Sequence, residues 1–421
     1  MKKLNSKKWC RVPIVELCEA HVDCVNRTAP IVDSPTPYKM IRTTNVRDGY
    51  IDTENVRYVT EETYKKWTRR LIPKRGDVIL TREAPLGEVG KIRSDDQIFL
   101  GQRLYQFRTN PKKLDADFLL YALLYDDLQG QVRGYGSGAT VEHMRLEDIP
   151  CLEISLPRIE EQRKIASILS AYDNLIENNL RRIKILEEMA QNLYREWFVK
   201  FRFPGHEQTR FIDSPLGKIP EGWDVHELGM LVHQIRAGVN PDLVDPKTPY
   251  FGLEHFPRKS ISLSDWGFAG EVKSTKLVFN KGDILFGKIR PYFHKVGVAP
   301  LSGVCSSDTI VMRVRSRDWF GLVLGYTSSV EFVEHATATS QGTKMPRANW
   351  EVLVKYQIPI PPRSILGQFN EFMSEIVNQL HNLIFRNQAL CNTRDMLLPK
   401  LISGELDVSE LDITISDEEA A

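Results

Sequence analysis

The sequence predicts an α+β protein with two pseudo-symmetric domains joined by two long antiparallel coiled-coil helices. Three observations support this fold class: an internal repeat, short β-type runs in both copies of the repeat, and a long helical segment that closes each copy. The chain has 421 residues, which is too long for one ordinary hydrophobic core.

The internal repeat is the strongest of the three observations. The stretch 76–80 (GDVIL) returns as 282–286 (GDILF), and 137–140 (SGAT) is echoed by 340–343 (SQGT). Similar landmarks that recur in the same order at a nearly constant offset indicate a duplicated unit. The alternative is ordinary turn chemistry that recurs in two unrelated domains.

Short β-type runs fill the first part of each copy. Examples are 78–80 and 104–107 in the first copy, and 283–286 and 309–312 in the second. Gly, Pro, Asn and Asp bound these runs, as is typical of strands.

A long helical segment closes each copy. No proline or glycine occurs from 159 to 198, and a second segment runs from about 365 to 401. Side chains at steps of three and four predict a coiled-coil seam on each helix. The seam positions are Ile165, Ile168, Tyr172, Leu175, Asn179, Leu186, Leu193 and Trp197 in the first helix, and Phe369, Ile376, Leu380, Leu383, Asn387 and Leu397 in the second.

The apolar stripe of a long helix needs a partner, and the other copy is the simplest one. A pseudo-twofold relation between the repeats would make the two helices antiparallel. Asn179 and Asn387 are polar residues within the seam. They are either exposed or locally bonded amides, or they form a contact that sets the register of the helices.

These patterns predict five segments. A first domain covers residues 1–157, a central helix 158–203, a second domain 204–361 and a C-terminal helix 362–406. The remaining residues, 407–421, form an acidic tail that we expect to be disordered.

The chain resembles the specificity subunits of Type I restriction–modification systems. The resemblance rests on the ends of the helices, 156–165, 193–205 and 396–406, and on the stretches 80–87 and 136–145. One departure is the segment 362–368, where the spacing from proline to glutamine is longer than in 157–162 and leaves the start of the second helix open.

The resemblance implies a division of labour. Each domain would be a target recognition domain that reads one half of a split double-stranded DNA site. The helices would hold the halves apart and dock two modification (methyltransferase) subunits. Those subunits would use S-adenosylmethionine, while restriction/translocase subunits would use ATP and Mg²⁺. No cofactor is expected in this chain.

Loops that mix basic, amide and hydroxyl side chains with glycine are the candidate DNA contacts, since phosphates and base edges need different partners. In the first domain the candidates are Arg42, Thr43, Asn45, Thr81, Arg82, Gln102, Arg103, Gly138, Thr140 and His143. In the second they are His255, Lys288, Arg290, Tyr292, Ser307, Gly342, Thr343 and Lys344.

Composition and short motifs limit the functions and cellular locations that the sequence allows. The net charge is only +1, so a DNA-binding interpretation depends on local clusters. The stretch 282–289 resembles a phosphate-binding loop but ends in Ile where Ser or Thr is needed. Six cysteines and no long apolar run predict a reduced, cytoplasmic protein without a membrane segment. The alternative function is a coiled-coil scaffold without DNA recognition.

Overall fold

The structure is a computed structural model that describes residues 9–136 and 142–413. The chain divides into two compact units. Unit 1 comprises residues 1–176 and 389–421, and unit 2 comprises residues 177–388. Each unit therefore contains one α+β domain and one part of each long helix.

Unit 1 is built around a four-stranded antiparallel sheet. Its strands are β1 (Cys10–Pro13), β2 (Cys18–Asp23), β3 (Tyr38–Ile41), β4 (Val46–Arg47), β5 (Tyr50–Ile51), β6 (Arg57–Tyr58), β7 (Val78–Arg82), β8 (Leu86–Lys91), β9 (Gln97–Leu100), β10 (Leu104–Thr109) and β11 (Glu153–Leu156). Its helices are α1 (Glu61–Trp67), α2 (Ala116–Leu124), α3 (Asp126–Gly134) and the first part of α4 (Ile159–Tyr194). The main sheet has the order β2-β10-β7-β8, β3 pairs in parallel with β9, and β1 pairs with β11.

Unit 2 repeats this topology. Its strands are β12 (Phe211–Ser214), β13 (Gly217–Pro220), β14 (Asp224–Glu227), β15 (Val232–Ile235), β16 (Gly238–Val239), β17 (Pro249–Phe251), β18 (Gly267–Phe268), β19 (Lys276–Phe279), β20 (Ile284–Gly287), β21 (Val296–Val298), β22 (Gly303–Cys305), β23 (Thr309–Val314) and β24 (Gln357–Ile360). Its helices are α5 (Phe320–Thr327), α6 (Val330–Ala338), α7 (Trp350–Leu353) and the first part of α8 (Arg363–Ile402). The main sheet has the order β15-β23-β20-β21, β17 pairs in parallel with β22, and β14 pairs with β24. The predicted duplication is therefore confirmed by the main sheet, by the parallel pair and by the pair β1–β11 with its counterpart β14–β24.

An ion pair between a buried aspartate and a partly buried arginine recurs at the same place in the two main sheets. In unit 1, Arg108 donates to Asp77 from Nε at 2.8 Å and from Nη2 at 2.7 Å. In unit 2, Arg313 donates to Asp283 from the same atoms at the same two distances. This pair explains why the Gly-Asp sequence before the inner strand occurs in both copies, because the aspartate accepts a bidentate guanidinium there.

The glutamine of the motif at the start of α4 has a structural role. The buried Gln162 accepts from the backbone N–H of Asp115 at 2.9 Å and donates to the carbonyl of Pro157 at 2.9 Å. In unit 2 the corresponding acceptor is Asn370, which receives the N–H of Gly321 at 2.8 Å. The helix begins at Arg363, and this shift of the anchoring side chain resolves the unusual spacing in 362–368.

The long helices run through both units and are 36 and 40 residues long. Within unit 2, Asn179 on α4 contacts Asn387 on α8, and Trp197, which follows α4, contacts Phe369 on α8 at a centroid distance of 5.6 Å. Because the residue number falls on α8 as it rises on α4, the helices are antiparallel, as predicted.

The predicted seam of α4 is wrong at Leu175, and the predicted Tyr172 is only partly buried. The buried positions are Leu169, Asp173 and Ile176, whereas Leu175 is 54% exposed. The face is displaced by one residue because a charged side chain, Asp173, occupies a buried position that an apolar pattern excludes. Elsewhere the predicted positions lie on the packed face: Ile165, Asn179, Trp197, Phe369, Ile376, Leu380, Leu383 and Asn387 are buried, and Ile168, Leu186, Leu193 and Leu397 are partly buried against the cores.

The first part of the predicted acidic tail is packed against unit 1. Val408 is 2% exposed, and Lys164 on α4 donates to the carbonyls of Ser409 and Leu411. The expectation of disorder from residue 407 onward is therefore corrected for 407–413, because an apolar anchor and a lysine hold this segment. Residues 414–421 lie outside the described residues.

Candidate nucleic-acid interface

The end of the inner strand β7 is the meeting point of three loop segments in unit 1. The N–H of Arg82 donates to the carbonyl of Arg103 at 2.8 Å, and the carbonyl of Arg82 accepts from the N–H of Met144 at 2.9 Å. The Arg82 guanidinium also donates from Nη1 to the Met144 carbonyl at 2.8 Å. Arg82, the turn at Arg103 and the segment around Met144 are thereby fixed beside one another.

Unit 2 has the same arrangement at the end of β20. The N–H of Lys288 donates to the carbonyl of Asp308 at 2.7 Å, and the carbonyl of Lys288 accepts from the N–H of Ala348 at 2.9 Å. Lys288 thus occupies the position of Arg82. These backbone hydrogen bonds make Arg82 and Lys288 equivalent residues of the repeat.

An arginine paired with a carboxylate stands beside each of these basic residues. In unit 1, Arg103 lies 3.1 Å from Glu83, and in unit 2, Arg347 lies 3.4 Å from Asp308. Both arginine side chains are 47% exposed. Exposed ion pairs of this kind are weak, so each guanidinium is held in place but can exchange its partner for another anion.

The loops of unit 2 enclose an open cleft of about 760 Å³. Lys288, Ser307 and Gly342 line the cleft, as three of the residues predicted from sequence. Gly342 has a φ of +100°, a left-handed conformation in which a side chain would be strained. The cleft therefore combines a cation, a hydroxyl and an exposed backbone, which are the groups that hold phosphates and base edges.

The cleft is also lined by residues that the sequence interpretation missed, among them Gln234, Arg236, Arg347 and Trp350. Gln234 lies on the edge strand β15, and Arg236 follows directly after it. In the sequence, this segment resembles an ordinary half-exposed strand. Only the strand alternation could have indicated that they share a face. Arg347 was missed although it follows the predicted loop 342–344 closely.

Three predicted residues of unit 1 are occupied in holding their own loops. Asn45 is 4% exposed, and it accepts from the N–H of Arg42 at 3.0 Å and donates to the carbonyl of Asn55 at 3.0 Å. Thr81 is buried and donates to the carbonyl of Pro85 at 2.6 Å. Thr43 is partly exposed and donates to the carbonyl of Ala84 at 2.8 Å. Asn45 and Thr81 are therefore corrected to structural residues, because burial leaves them no access to DNA.

The other candidates of unit 1 lie at its surface or outside the described residues. Gln102 and Arg103 form the turn before β10, and His143 forms a β-bridge with Glu83. Gly138 and Thr140 fall in 137–141, outside the described residues.

His255 in unit 2 repeats the role of Asn45. Its Nδ1 accepts from the N–H of Gly252 at 3.0 Å, so that the ring closes the single 3-10 turn Leu253–His255. The same turn, Thr43–Asn45, follows the equivalent strand in unit 1. We therefore assign His255 first to its own loop, although its ring is partly exposed.

The loop after β20 contains two left-handed residues, Arg290 with a φ of 49° and His294 with a φ of 51°. Nε2 of His294 donates to the carbonyl of Ser328 at 2.8 Å, and burial lowers the pKa of this histidine, so that it is neutral near pH 7. Tyr292 is 51% exposed at the tip and contacts Phe293 at a centroid distance of 4.9 Å. The loop thus places Arg290, which is partly buried, beside the exposed Tyr292, and Thr343 and Lys344 are exposed on the segment that follows Gly342.

The described residues contain neither a metal-binding cluster nor a membrane-spanning helix. Across 9–136 and 142–413, no group of three or more His, Cys, Asp or Glu side chains could hold a metal ion. Within the same ranges, no helix combines the length and apolarity required to cross a bilayer.

Comparison with known proteins extends these findings. A family model described as Type I restriction modification DNA specificity domain matches residues 7–188. The MjaIX specificity subunit of Methanocaldococcus jannaschii is 27% identical over 84% of this chain and 83% of its own length. The EcoDI specificity subunit of Escherichia coli is 26% identical over 72% of this chain and 73% of its own length.

A solved structure has the same fold. The crystal structure of a Type I restriction–modification S subunit from M. genitalium superposes with a TM-score of 0.60 at 16% identity, and the match covers 95% of this chain and 98% of that one. The sequence relatives and the solved structure indicate the same family of proteins. Over most of its length, the chain is therefore similar to the specificity subunits of Type I restriction–modification systems.

Proposed function

We propose that each unit binds one half of a bipartite double-stranded DNA site, and that the two helices set the number of base pairs between the halves. The observation that carries the proposal is the repeated strand end: Arg82 in unit 1 and Lys288 in unit 2 hold equivalent loops by equivalent hydrogen bonds. A duplicated framework with different loop side chains suits the reading of two different short sequences, because loops carry specificity while the framework positions them.

Phosphates and bases would be contacted by different residues. Lys288, Arg347 and the backbone near Gly342 are suited to phosphates, while Ser307 and the polar side chains of the cleft are suited to base edges. In unit 1, Arg42, Arg82, Gln102, Arg103 and His143 would make the corresponding contacts. The net charge of +1 gives no general attraction to DNA, so the proposal depends on local cations such as Arg82 and Lys288.

The helices would dock two modification subunits. In unit 2, α4 exposes Leu180, Ile185 and Met189, and α8 exposes Phe372 and Phe385. Exposed apolar side chains at this density on paired helices favour a protein partner. Those subunits would supply S-adenosylmethionine-dependent methyl transfer, and restriction/translocase subunits would use ATP and Mg²⁺ in the cytoplasm. The chain itself would contribute recognition and no catalytic group.

Methylation mapping tests the proposal. The chain is co-expressed with its modification subunits, and the methylated positions are mapped on DNA of random sequence. We expect a motif of two short half-sites that are separated by a fixed unread gap. A complex that neither methylates nor retains DNA would instead favour a scaffold without DNA recognition.

A further inference from the structure

The outer edge of the main sheet carries polar side chains that the repeat places at one position in both units. We propose that Gln234 and Arg236 read bases in the half-site bound by unit 2, and that His21 and Asp23 read bases in the half-site bound by unit 1. This inference rests on the proposed function, and it names the residues that make the two half-sites different.

Gln234 and Arg236 have the access that base reading requires. Both line the cleft that also contains Lys288. They stand two residues apart on β15 and its continuation, so they project from the same side of the edge strand. One cleft therefore contains Lys288, which would bind the phosphate backbone, together with Gln234 and Arg236, which would contact the base edges.

The arginine is held in position by its neighbours before any DNA is bound. Nε of Arg236 donates to Oε1 of Gln234 at 2.5 Å, and Nη2 donates to Glu351 at 3.3 Å. The Arg236 side chain is 66% exposed. An ion pair this exposed contributes little to stability, so the guanidinium can turn to a base at small cost.

Strand register establishes the equivalence with unit 1. Gln234 pairs with Met312 on β23, and His21 pairs with Phe107 on β10. Met312 in turn pairs with Ile284, the first residue of β20, and Phe107 pairs with Val78, the first residue of β7. His21 therefore corresponds to Gln234, and Asp23, two residues on, corresponds to Arg236.

The chemistry at these equivalent positions differs between the units. Where unit 2 has Arg236 paired with Glu351, unit 1 has Asp23 paired with Arg70, so the charges of the pair are reversed. Where unit 2 has Gln234, unit 1 has His21, whose Nδ1 lies 2.7 Å from the hydroxyl of Tyr105.

Each side chain favours a particular base. Arginine binds guanine through two hydrogen bonds, glutamine binds adenine in the same manner, and a carboxylate accepts from the amino group of cytosine. We therefore expect the half-site of unit 2 to contain a purine contacted by Gln234 or Arg236. The half-site of unit 1 should contain a cytosine contacted by Asp23.

The test compares variants within the complex with modification subunits. Gln234→Ala, Arg236→Ala and the control Lys247→Ala, an exposed lysine outside the cleft, are assayed by methylation mapping and by selection from a randomised duplex DNA pool. We expect each of the first two changes to reduce discrimination by about 10-fold or more at one or two positions of one half-site. The other half-site and the gap should be unchanged, and the control should match the wild type.

A compensated exchange protects the test against simple misfolding. Arg236→Asp combined with Glu351→Arg recreates in unit 2 the charge order that Asp23 and Arg70 have in unit 1. We expect this double variant to keep its thermal stability and to change its preferred base in one half-site.

The outcomes separate the inference from the proposed function. An unchanged half-site in all variants overturns the inference while the bipartite function stands. A uniform loss of affinity with a smaller salt dependence overturns it as well, because that result indicates phosphate contacts alone. A wild-type complex without any sequence preference overturns the proposed function, and the inference fails with it.

Discussion

Asn179 on α4 donates from Nδ2 to Oδ1 of Asn387 on α8 at 2.7 Å, and both amides are buried. The sequence left two interpretations of these amides open: exposed or locally bonded side chains, or a contact between the helices. The hydrogen bond is the contact between the helices. An amide pair inside an apolar seam stabilises one register over its neighbours, because a shift would bury each amide against hydrocarbon.

The first prediction concerns this pair. Asn179→Leu should lower the free energy of unfolding by about 1–3 kcal/mol, because it leaves the partner amide buried without its bond. Changing both residues to leucine should restore most of the loss, since two apolar side chains of similar size leave no unsatisfied group. Thermal unfolding of the two single variants and the double variant provides the measurement. Equal losses that simply add in the double variant would contradict the amide contact.

The second prediction concerns Asp173 in unit 1. Tyr121 donates to this buried carboxylate at 2.7 Å and Arg394 donates to it at 2.7 Å. Burial and the adjacent carboxylate raise the pKa of Tyr121 far above its usual value, so the hydroxyl remains a donor. Asp173→Ala should lower the free energy of unfolding by about 1–3 kcal/mol, because Tyr121 and Arg394 lose their buried acceptor while Arg394 keeps only its exposed partner Asp395. Denaturant unfolding measures the loss, and the exposed Asp395→Ala serves as control.

The third prediction concerns pH. Burial, together with the charge of Lys281, lowers the pKa of His381 from 6.5 to about 4. Above pH 6.5 this histidine is neutral in both the folded and the unfolded state. As the pH falls toward 4, the unfolded state takes up the proton more readily, so stability is lost in that range. Through this histidine alone, the free energy of unfolding should be about 2 kcal/mol lower at pH 5 than at pH 7.5.

The variant His381→Leu isolates this effect. Other groups titrate equally in both proteins, so the difference in unfolding free energy between pH 7.5 and pH 5 should be smaller in the variant by that amount. Equal pH dependence of the two proteins would show that His381 is not the group responsible.

The fourth prediction concerns the equivalent residues Arg82 and Lys288. Arg82→Ala and Lys288→Ala should weaken binding through different halves of the site. A lost phosphate contact should reduce the slope of log affinity against log salt by about one unit, and a lost base contact should cost about 1–3 kcal/mol of discrimination. Titrations at several salt concentrations distinguish the two cases. The exposed Arg75→Ala controls for the loss of a charge. Wild-type affinity and salt dependence in both variants would refute the loop assignment.

The fifth prediction concerns the helices as a spacer. One extra turn of about four residues in both helices, beside Asn179 and Asn387, adds roughly 6 Å. At about 1.7 Å per charge, or 3.4 Å per base pair, this corresponds to about two base pairs. Two base pairs also rotate the duplex by roughly 70°, so binding should weaken unless the DNA untwists.

Methylation mapping of this variant should show unchanged half-site sequences and a longer gap. A single insertion in α4 alone is the matched control, because it breaks the pairing of the helices and should abolish activity. A changed half-site, or an unchanged gap with full activity, would exclude the helices as the spacer.

Local sequence determined much of this protein. The inner strands of both main sheets, the duplication and the two long helices were predictable because turn residues and helical periodicity act over a few residues. The recurrence of the landmarks at a nearly constant offset made these patterns easier to recognise. The bidentate pairs of Asp77 and Asp283 show why the repeated Gly-Asp had to recur, although the sequence alone could not name their arginine partners.

Only the tertiary structure decided what the polar residues do. Asn45 and Thr81 have the composition of DNA-reading side chains, but distant backbone groups bury and bond them. The buried face of α4 near Asp173 lies one residue away from the predicted one. Asp173 can be buried there because Arg394, more than 200 positions away in the sequence, neutralises its charge. Gln234 and Arg236 became candidates only when folding placed their edge strand beside Lys288, since the partners that define such a site are remote in sequence and carry no local pattern.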